Sequence, residues 1–230
     1  QLDVLVVTHP DFDHYSGLPT TLAGHCPAEL WWTGQGDQDP RWQELMQVLD
    51  RCQTRRRRFD LSQHQVEIDG VQLEVLHPLV DASSSLRHWP ELDRNDNSLV
   101  VLVRHGEVRA LLTGDASTLV EDSLRDRGVL ERIHLLKAAH HGSAHSTSSA
   151  FLDVIQPLHT VISAGHANRF GHPAPAVLSR LARAHSQVWR TDQQGLIEAT
   201  SNGHELKVSS FQPAPATPPD RSTQVPAPPR

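Results

Sequence analysis

Short apolar runs alternate with amphipathic segments along most of the chain. Apolar runs bounded by turn residues predict strands, and apolar residues spaced three and four apart predict helices. The predicted strands are 2–7, 29–32, 66–68, 71–76, 98–104, 108–113, 133–139, 160–163, 196–200 and 205–211, with one more near Val188. The predicted helices are 41–53, 119–127, 148–155 and 175–185. Hairpins mixed with strand–helix units predict an α/β (α+β) fold of two mixed sheets with helices outside them.

The composition predicts one folded domain followed by a tail. Hydrophobic residues make up 37% of the 230 residues, which is enough for the core of one domain. Residues 212–230 contain seven prolines and almost no large apolar side chain, so they bury too little surface to offset their chain entropy. We predict a folded domain over residues 1–211 and a disordered, proline-rich tail over 212–230. Because Gln1 stands directly before a strand, we expect the domain to be N-terminally truncated.

Charge excludes one class of function. Lys and Arg total 21 against 27 Asp and Glu, a formal net charge of −6, so the chain is not a nucleic-acid binder that works by bulk positive charge. The run Arg55–Arg58 is the one basic patch, and we expect it to be a solvated surface stretch. No run of about 20 apolar residues is present to span a bilayer. Cys26 and Cys52 could form a disulfide or remain two buried thiols.

The strongest chemical signal follows the first predicted strand. His9, Asp11, Asp13 and His14 lie within six residues, where one loop can turn all four toward a common point. Imidazole nitrogens and carboxylate oxygens suit zinc, manganese or iron. The alternative is a turn in which Asp13 caps a helix starting near Tyr15. The density of ligand-type residues at a strand end favours the metal site.

Two further strand ends carry residues of the same kind. Asp115 follows the predicted strand 108–113, and His140 and His141 follow the predicted strand 133–139. Because adjacent strand residues face opposite ways, we expect at most one of the two histidines to reach a given metal. The other would contact substrate or a residue that orients a ligand. Three such strand ends predict one shared cluster.

These residues resemble the motifs of the metallo-β-lactamase superfamily. His9, Asp11, Asp13 and His14 have the layout of its His-x-His-x-Asp-His motif, and Asp115 looks like its bridging aspartate. The order of four further motifs is similar to that of the C-terminal hydrolase domain in the ComEC family of DNA-internalisation competence proteins. Those motifs are Asn95-Asp96-Asn97-Ser98-Leu99-Val100, Thr113-Gly114-Asp115, His140-His141-Gly142-Ser143 and Asn168-Arg169-Phe170-Gly171-His172-Pro173.

The resemblance implies an αββα sandwich, here without its opening strands, with one or two divalent metals at its edge. Asp11 stands where the superfamily usually has its second histidine, and this oxygen-rich set shifts the expectation from zinc towards manganese or a weakly held metal. A further histidine of the superfamily has no clear match, since Asn97 lies near its place and His77 and His88 are poor substitutes. Whether one or two metals bind therefore stays open.

The resemblance also suggests the reaction, which is hydrolysis of DNA phosphodiesters by a metal-activated water. Its expected metal ligands are His9, Asp11, Asp13, His14, Asp115 and one of His140 and His141. Its expected catalytic residues are Asp13 and Asp115, with His145 or His172 as the proton donor to the leaving oxygen. Its candidate substrate-binding residues are Ser143, Ser146, Asn168 and Arg169. For the hydroxyl residues, a helix N-cap at Ser146-Thr147-Ser148 is an equally good interpretation.

The expected partners are DNA and a membrane-channel portion of the same parent chain. The resemblance places that parent in the bacterial inner membrane, with this domain on the extracytoplasmic side. One alternative keeps the fold and changes the substrate to a lactone, a thioester or a small phosphodiester. Another is a degenerate module that binds DNA without cutting it. Crowded acids and histidines argue against the last reading, because they are unfavourable without a cation.

Overall fold

The computed structural model describes residues 2–36, 39–59, 63–79 and 93–211. The predicted tail 212–230 and His88 lie outside these ranges. The strands are β1 (Leu2–Val6), β2 (Pro27–Trp31), β3 (Arg55–Arg57), β4 (Gln65–Ile68), β5 (Val71–His77), β6 (Val100–His105), β7 (Val108–Leu112), β8 (Leu135–Lys137), β9 (His159–Ile162), β10 (Gln187–Arg190), β11 (Ile197–Ser201) and β12 (Leu206–Ser210). The helices are α1 (Phe12–Tyr15), α2 (Leu18–Thr21), α3 (Pro40–Arg51), α4 (Thr118–Asp126), α5 (Ser149–Ile155), α6 (Pro175–Arg183) and α7 (Thr191–Gln194).

The strands form two principal sheets and a separate hairpin. The smaller sheet has the order β1-β2-β3 and is parallel throughout. The larger sheet has the order β10-β9-β8-β7-β6-β5-β4, antiparallel from β4 to β7 and parallel from β7 to β10. Strands β11 and β12 pair only with each other. Because β7, β8 and β9 run in the same direction, the segments that follow them meet at one edge of the large sheet.

Three apolar clusters stack the sheets and helices in layers. One draws on both sheets and fills the space between them, and its buried members are Trp31, Phe59, Val75, Leu99 and Val101. A second packs the other face of the small sheet against α2 and α3, with Leu30, Trp42, Leu45 and Leu49 buried. A third packs the outer face of the large sheet against α4, α5 and α6. Alternate strand residues thus serve opposite faces, and the predicted αββα sandwich is confirmed.

Side-chain caps fix where three of the helices begin. Asp39 accepts the backbone N–H of Arg41 at the start of α3, next to Pro40. Ser117 caps α4, and Ser148 caps α5 by accepting the N–H of Phe151. The N-cap interpretation of the 146–148 serine-rich stretch is therefore correct, with Ser148 as the capping residue. None of the helices in the described part of the chain has the length and apolar character needed to cross a bilayer.

Two sequence predictions need correction. The strand predicted over 133–139 is only Leu135–Lys137, and a 3₁₀ turn over Ala139–Gly142 follows it. The basic run Arg55–Arg58 is largely exposed, as predicted, but its first three residues form an unpredicted strand, β3, at the edge of the small sheet. Glu29 accepts a hydrogen bond from Arg55, and the Arg57 guanidinium lies 5.1 Å from the Phe59 ring centre. Partners within the domain therefore occupy much of this basic patch.

The two cysteines form a disulfide. Cys26 precedes β2 and Cys52 follows α3, and the bond joins these two elements of the small-sheet half of the molecule. This resolves the alternative that the sequence left open. The bond closes a sequence separation of 26 residues, which stabilises the fold mainly by restricting the unfolded chain.

Candidate metal centre

Four chain segments meet at the edge where β1, β7, β8 and β9 end. They line a cleft of about 550 Å³. The residues lining it are Asp11, Phe12, Asp13, Asp115, His140, His141, Ser163, Ala164, Gly165, Asn168, Arg169, Phe170 and His172. One wall follows the small sheet and the other follows the large sheet, so the cleft straddles both layers of the sandwich.

The first wall is the loop after β1, where the four residues of the first motif lie. His9 is 1% exposed, and its Nε2 lies 3.8 Å from an Asp11 carboxylate oxygen. Its Nδ1 lies 3.1 Å from Thr8 Oγ1 and 3.2 Å from Ser98 Oγ, which orients the ring. Burial and the nearby His14 ring lower the pKa of His9 to about 3, so this imidazole is neutral near pH 7. A neutral imidazole is the form that binds metals.

Asp115 lies at the centre of the cluster. Its Oδ1 is 3.4 Å from His14 Nε2, and its Oδ2 is 3.4 Å from His141 Nε2 and 3.9 Å from His9 Nε2. Burial alone would raise the pKa of this carboxyl, but its contacts with His14 and His141 and the Lys137 charge hold the pKa well below its usual range. A buried carboxylate in contact with three imidazoles suits a bridging position.

The backbone before Asp115 allows this position. Gly114 has φ +53°, and a Cβ built there would lie 2.7 Å from Ser98 Cβ. Only glycine fits this approach without displacement of the neighbouring segment. The N–H of Asp115 then donates to Ser98 Oγ at 3.0 Å. Ser98 therefore contacts both His9 and Asp115 and holds the two walls in register.

His140 and His141 lie on the 3₁₀ turn, not on a strand. Their φ angles are +47° and +54°, an uncommon conformation for residues other than glycine, and it turns both rings toward the cleft. His141 Nε2 lies 3.2 Å from an Asp13 oxygen, and its Nδ1 lies 2.7 Å from the carbonyl oxygen of Ser163. His140 Nδ1 instead lies 3.5 Å from Asn95 Nδ2. Of the pair, only His141 is within ligand distance of the other acids and imidazoles.

Two sets of three ligand-type residues emerge from this geometry. One comprises His9, His14 and Asp115, and the other comprises Asp13, His14 and His141, each with its ligand atoms within 4.8 Å of one another. Within the first of these sets, the buried atoms His9 Nε2 and Asp115 Oδ1 have no hydrogen-bond partner. Unpartnered buried polar atoms are unfavourable unless a further group satisfies them. The donor set and these two atoms therefore fit a divalent cation.

The loop after β9 brings the other predicted residues to the cleft. His172 lines it, with its ring centre 5.8 Å from that of His140. Asn168 braces the loop, because its amide nitrogen donates to the carbonyl oxygens of Gly165 and His172 and its oxygen accepts the N–H of His172. The Arg169 guanidinium lies 4.8 Å from the centre of the Phe170 ring.

Three predicted residues lie away from the cleft lining. His145 is exposed, and its N–H donates to Ser143 Oγ. Ser143 and Ser146 are buried, and the Ser146 hydroxyl donates to the carbonyl oxygens of Ala139 and Ser143. These contacts shape the turn that carries His140 and His141. Of the two histidines considered poor substitutes, only His77 is among the described residues. Its Nε2 lies 2.7 Å from the carbonyl oxygen of Asp96, and it lies outside the cluster.

Sequence reasoning did not assign Lys137. Its ammonium lies 3.6 Å from Asp115 Oδ1 and donates to the carbonyl oxygen of Gly114. Burial lowers the pKa of this lysine, although Asp115 opposes the shift. A signal was available, because Lys137 is the one charged residue in an otherwise apolar strand. Thr8 and Ser98 were also not assigned, and a hydroxyl next to a motif carries no comparable signal.

A family model described as the metallo-β-lactamase superfamily matches residues 1–166. "ComE operon protein 3" of Bacillus subtilis is 31% identical over 201 residues, covering 86% of this chain and 24% of the relative. "Competence protein ComA" of Neisseria gonorrhoeae is 32% identical over 200 residues, covering 86% of this chain and 25% of the relative. The chain thus spans about a quarter of the length of these curated relatives.

Solved structures give the fold alone. Two structures of CmlA, one titled a diiron β-hydroxylase from Streptomyces venezuelae, align over 92% of this chain and 45% of theirs. The TM-scores are 0.51 and 0.50, at sequence identities of 15% and 14%. The family model confirms the predicted superfamily, and the two sequence relatives confirm the likeness to the competence proteins.

Proposed function

The chain belongs to the metallo-β-lactamase superfamily, and from that premise we propose that it is a metal-dependent phosphodiester hydrolase that cuts DNA within a competence DNA-uptake protein. The observation that carries the proposal is the position of Asp115. This buried carboxylate contacts His14 and His141 from the two sets of ligand-type residues, and its Oδ1 accepts no hydrogen bond.

The residues that would hold the metal come from both walls. His9, His14 and Asp115 would hold one ion, with Asp11 beside His9. Asp13 and His141 would hold a second ion or complete the first. The mixed oxygen and nitrogen set suits manganese or zinc. A divalent ion bound there would supply Lewis acidity, which lowers the pKa of water and neutralises charge on phosphoryl oxygens.

The chain's own groups would handle protons and orientation. Asp13 is mostly exposed at the mouth of the cleft, where its carboxylate can accept a proton from the attacking water. His172 lines the cleft and can hold a proton for the leaving oxygen, whereas His145 does not line it. Asn168 fixes the backbone of His172. Lys137 would keep Asp115 ionised and oriented.

Names and charges together favour DNA as the substrate. The two relatives are named as competence proteins or by a ComE operon, and the chain covers only a quarter of each. We propose that the remainder includes a membrane channel, and that this domain lies outside the bacterial inner membrane. The Cys26–Cys52 disulfide supports that side, because such bonds persist in oxidising compartments. Arg94 and Arg169 supply positive charge beside an otherwise acidic cleft.

A DNA-cleavage assay that compares alanine variants of two neighbouring histidines tests the proposal. The purified chain with added manganese should cut single-stranded DNA, and chelator should abolish the cutting. His141→Ala should lower the rate by about 100-fold or more, since it removes a proposed ligand. His145→Ala changes an exposed histidine four residues away and should retain the parent rate.

Three outcomes would reject the proposal. Equal cutting by the parent and His141→Ala, with both folded by circular dichroism, would show that the cluster does not act. Absence of DNA cutting together with turnover of a lactone, a thioester or a small phosphodiester would give the chain another substrate. Less than a tenth of an equivalent of transition metal after soaking would favour a module that binds without cutting.

A further inference from the structure

Two exposed phenylalanines stand at the mouth of the cleft. Phe12 is 54% exposed and Phe170 is 66% exposed, and both line the cavity that contains Asp115. Phe12 lies between Asp11 and Asp13 on the first wall, and Phe170 lies on the loop after β9 on the second wall. Exposed apolar surface rimmed by polar residues is typical of a ligand-binding groove.

Each ring carries its own arginine. The Arg41 guanidinium lies 4.4 Å from the centre of the Phe12 ring, and that of Arg169 lies 4.8 Å from the Phe170 ring. Both rings stay more than half exposed beside these guanidinium groups, so positive charge stands next to accessible apolar surface. This pairing is suited to a ligand with flat apolar groups joined by anionic linkers.

A row of rings connects Phe170 to the cluster. Phe170 stacks on His172 with ring centres 5.9 Å apart and planes 21° from parallel. His172 is next to His140, and the row continues through His141 and His14. A flat group stacked on Phe170 would therefore have its linker directed along the second wall toward Asp115.

We propose that Phe12 and Phe170, each with its arginine, are two base-stacking platforms that make the cleft bind single-stranded DNA in preference to duplex. This inference rests on the proposed function and names the form of its substrate. Unpaired bases expose their faces to aromatic side chains, whereas a duplex hides them. Bases held on the two walls would bring the phosphates between them past the cluster.

Binding measurements test the platforms without relying on turnover. Fluorescence anisotropy would compare a labelled oligothymidylate with the same strand annealed to oligoadenylate, using cleavage-resistant linkages. Phe170→Ala and Phe12→Ala should each weaken single-strand binding by about 10-fold, and Phe170→Trp should restore it. Phe211→Ala is the matched control, because Phe211 is 82% exposed and lies outside the cleft lining.

The outcomes separate this inference from the proposed function. Single-strand affinity unchanged in both alanine variants, or equally strong binding of duplex by the parent, would overturn the platforms. Hydrolysis of bis(4-nitrophenyl) phosphate with manganese is measured in parallel on the parent and Phe211→Ala. If neither hydrolyses the ester nor cuts DNA while binding still depends on the two rings, the hydrolase proposal fails and the platforms stand. If the parent cuts DNA but single-strand binding does not depend on the two rings, the platforms fail and the hydrolase proposal stands.

Discussion

Asp115 and Glu121 are both buried carboxylates, but the contacts that they make differ. Asp115 is 3% exposed and Glu121 is 2% exposed. Asp115 lies close to imidazoles and to Lys137, but its Oδ1 accepts no hydrogen bond. Both oxygens of Glu121 accept backbone N–H groups, from Thr147 and from Ser148. Six residues apart in the sequence, one acid faces the cleft and the other supports a loop.

The two acids are equally buried, and they differ in whether their carboxylate oxygens accept hydrogen bonds. Glu121 and Arg180 hold the 144–148 loop from two sides, since Arg180 donates to the carbonyl oxygens of Ala144, Ser146 and Thr147. The groups around Asp115 are instead the side chains of His14, His141 and Lys137. A buried acid that is already satisfied is structural, and one with an unused oxygen is a candidate ligand.

The largest expected effect is on activity, from Asp115→Asn. The amide keeps the size of the side chain and loses the charge that a cation needs, so manganese-dependent DNA cutting should fall by about 100-fold or more. The free energy of unfolding in urea should change less than it does for Glu121→Ala. Residual cutting near the parent rate would remove Asp115 from the proposed site.

The next effect is on stability, from Glu121→Ala. This change leaves two buried backbone N–H groups without acceptors, and each such group costs about 1–3 kcal/mol, so we expect a loss of about 3 kcal/mol. Asp153→Ala, an exposed acid on α5, should change stability by less than about 0.5 kcal/mol. Urea unfolding measures both. A loss for Glu121→Ala no larger than for the control would mean that the two acids do not differ as described.

The smallest expected effect is the pH dependence of stability that arises from the Glu121 carboxyl. Burial raises the pKa of Glu121 above its ordinary value of 4.5, although the N–H groups of Ser148 and Thr147 oppose the shift. The folded chain therefore binds this proton more tightly than the unfolded chain, and the stabilisation is present below pH 4.5 and lost as pH rises through the raised pKa.

The variant Glu121→Gln does not titrate at this position and supplies the reference. The unfolding free energy of the parent minus that of Glu121→Gln should decrease as pH rises from below 4.5. Urea titrations at a series of pH values measure this difference. A difference that stays flat or increases over that range would show that the folded environment does not favour the protonated acid.

Much of the fold could be predicted because hydrophobic alternation determines which face of each strand is buried. The strands ending at Val6 and Leu112 and the helix at Pro40–Arg51 are within two residues of their predicted bounds. The strand predicted over 133–139 was too long, because Ala138 and Ala139 continue an apolar run although the backbone turns there. Periodicity alone does not show positive φ angles at the histidines that follow.

For the candidate site, the sequence indicated ligand-type residues better than it indicated their neighbours. Asp115 and His141 come together because β7 and β8 are parallel and end at one edge, which the sequence pattern already implies. His9 and His14 join them from the end of β1 in the other sheet. His145 and Ser146 looked equally suitable, but their places depend on a loop held by Glu121 and Arg180. Such long-range hydrogen bonds leave no local pattern, and neither does the contact between Lys137 and Asp115.

The position of the cleft across two sheets has a consequence for residues far from it. Its walls are joined through the apolar cluster between the sheets, where the Trp31 and Phe59 rings meet edge to face with centres 4.8 Å apart. Spacing between the walls therefore depends on how tightly these hydrocarbon surfaces interlock. Substitutions at this interior contact can change the width of the cleft while every polar group stays the same.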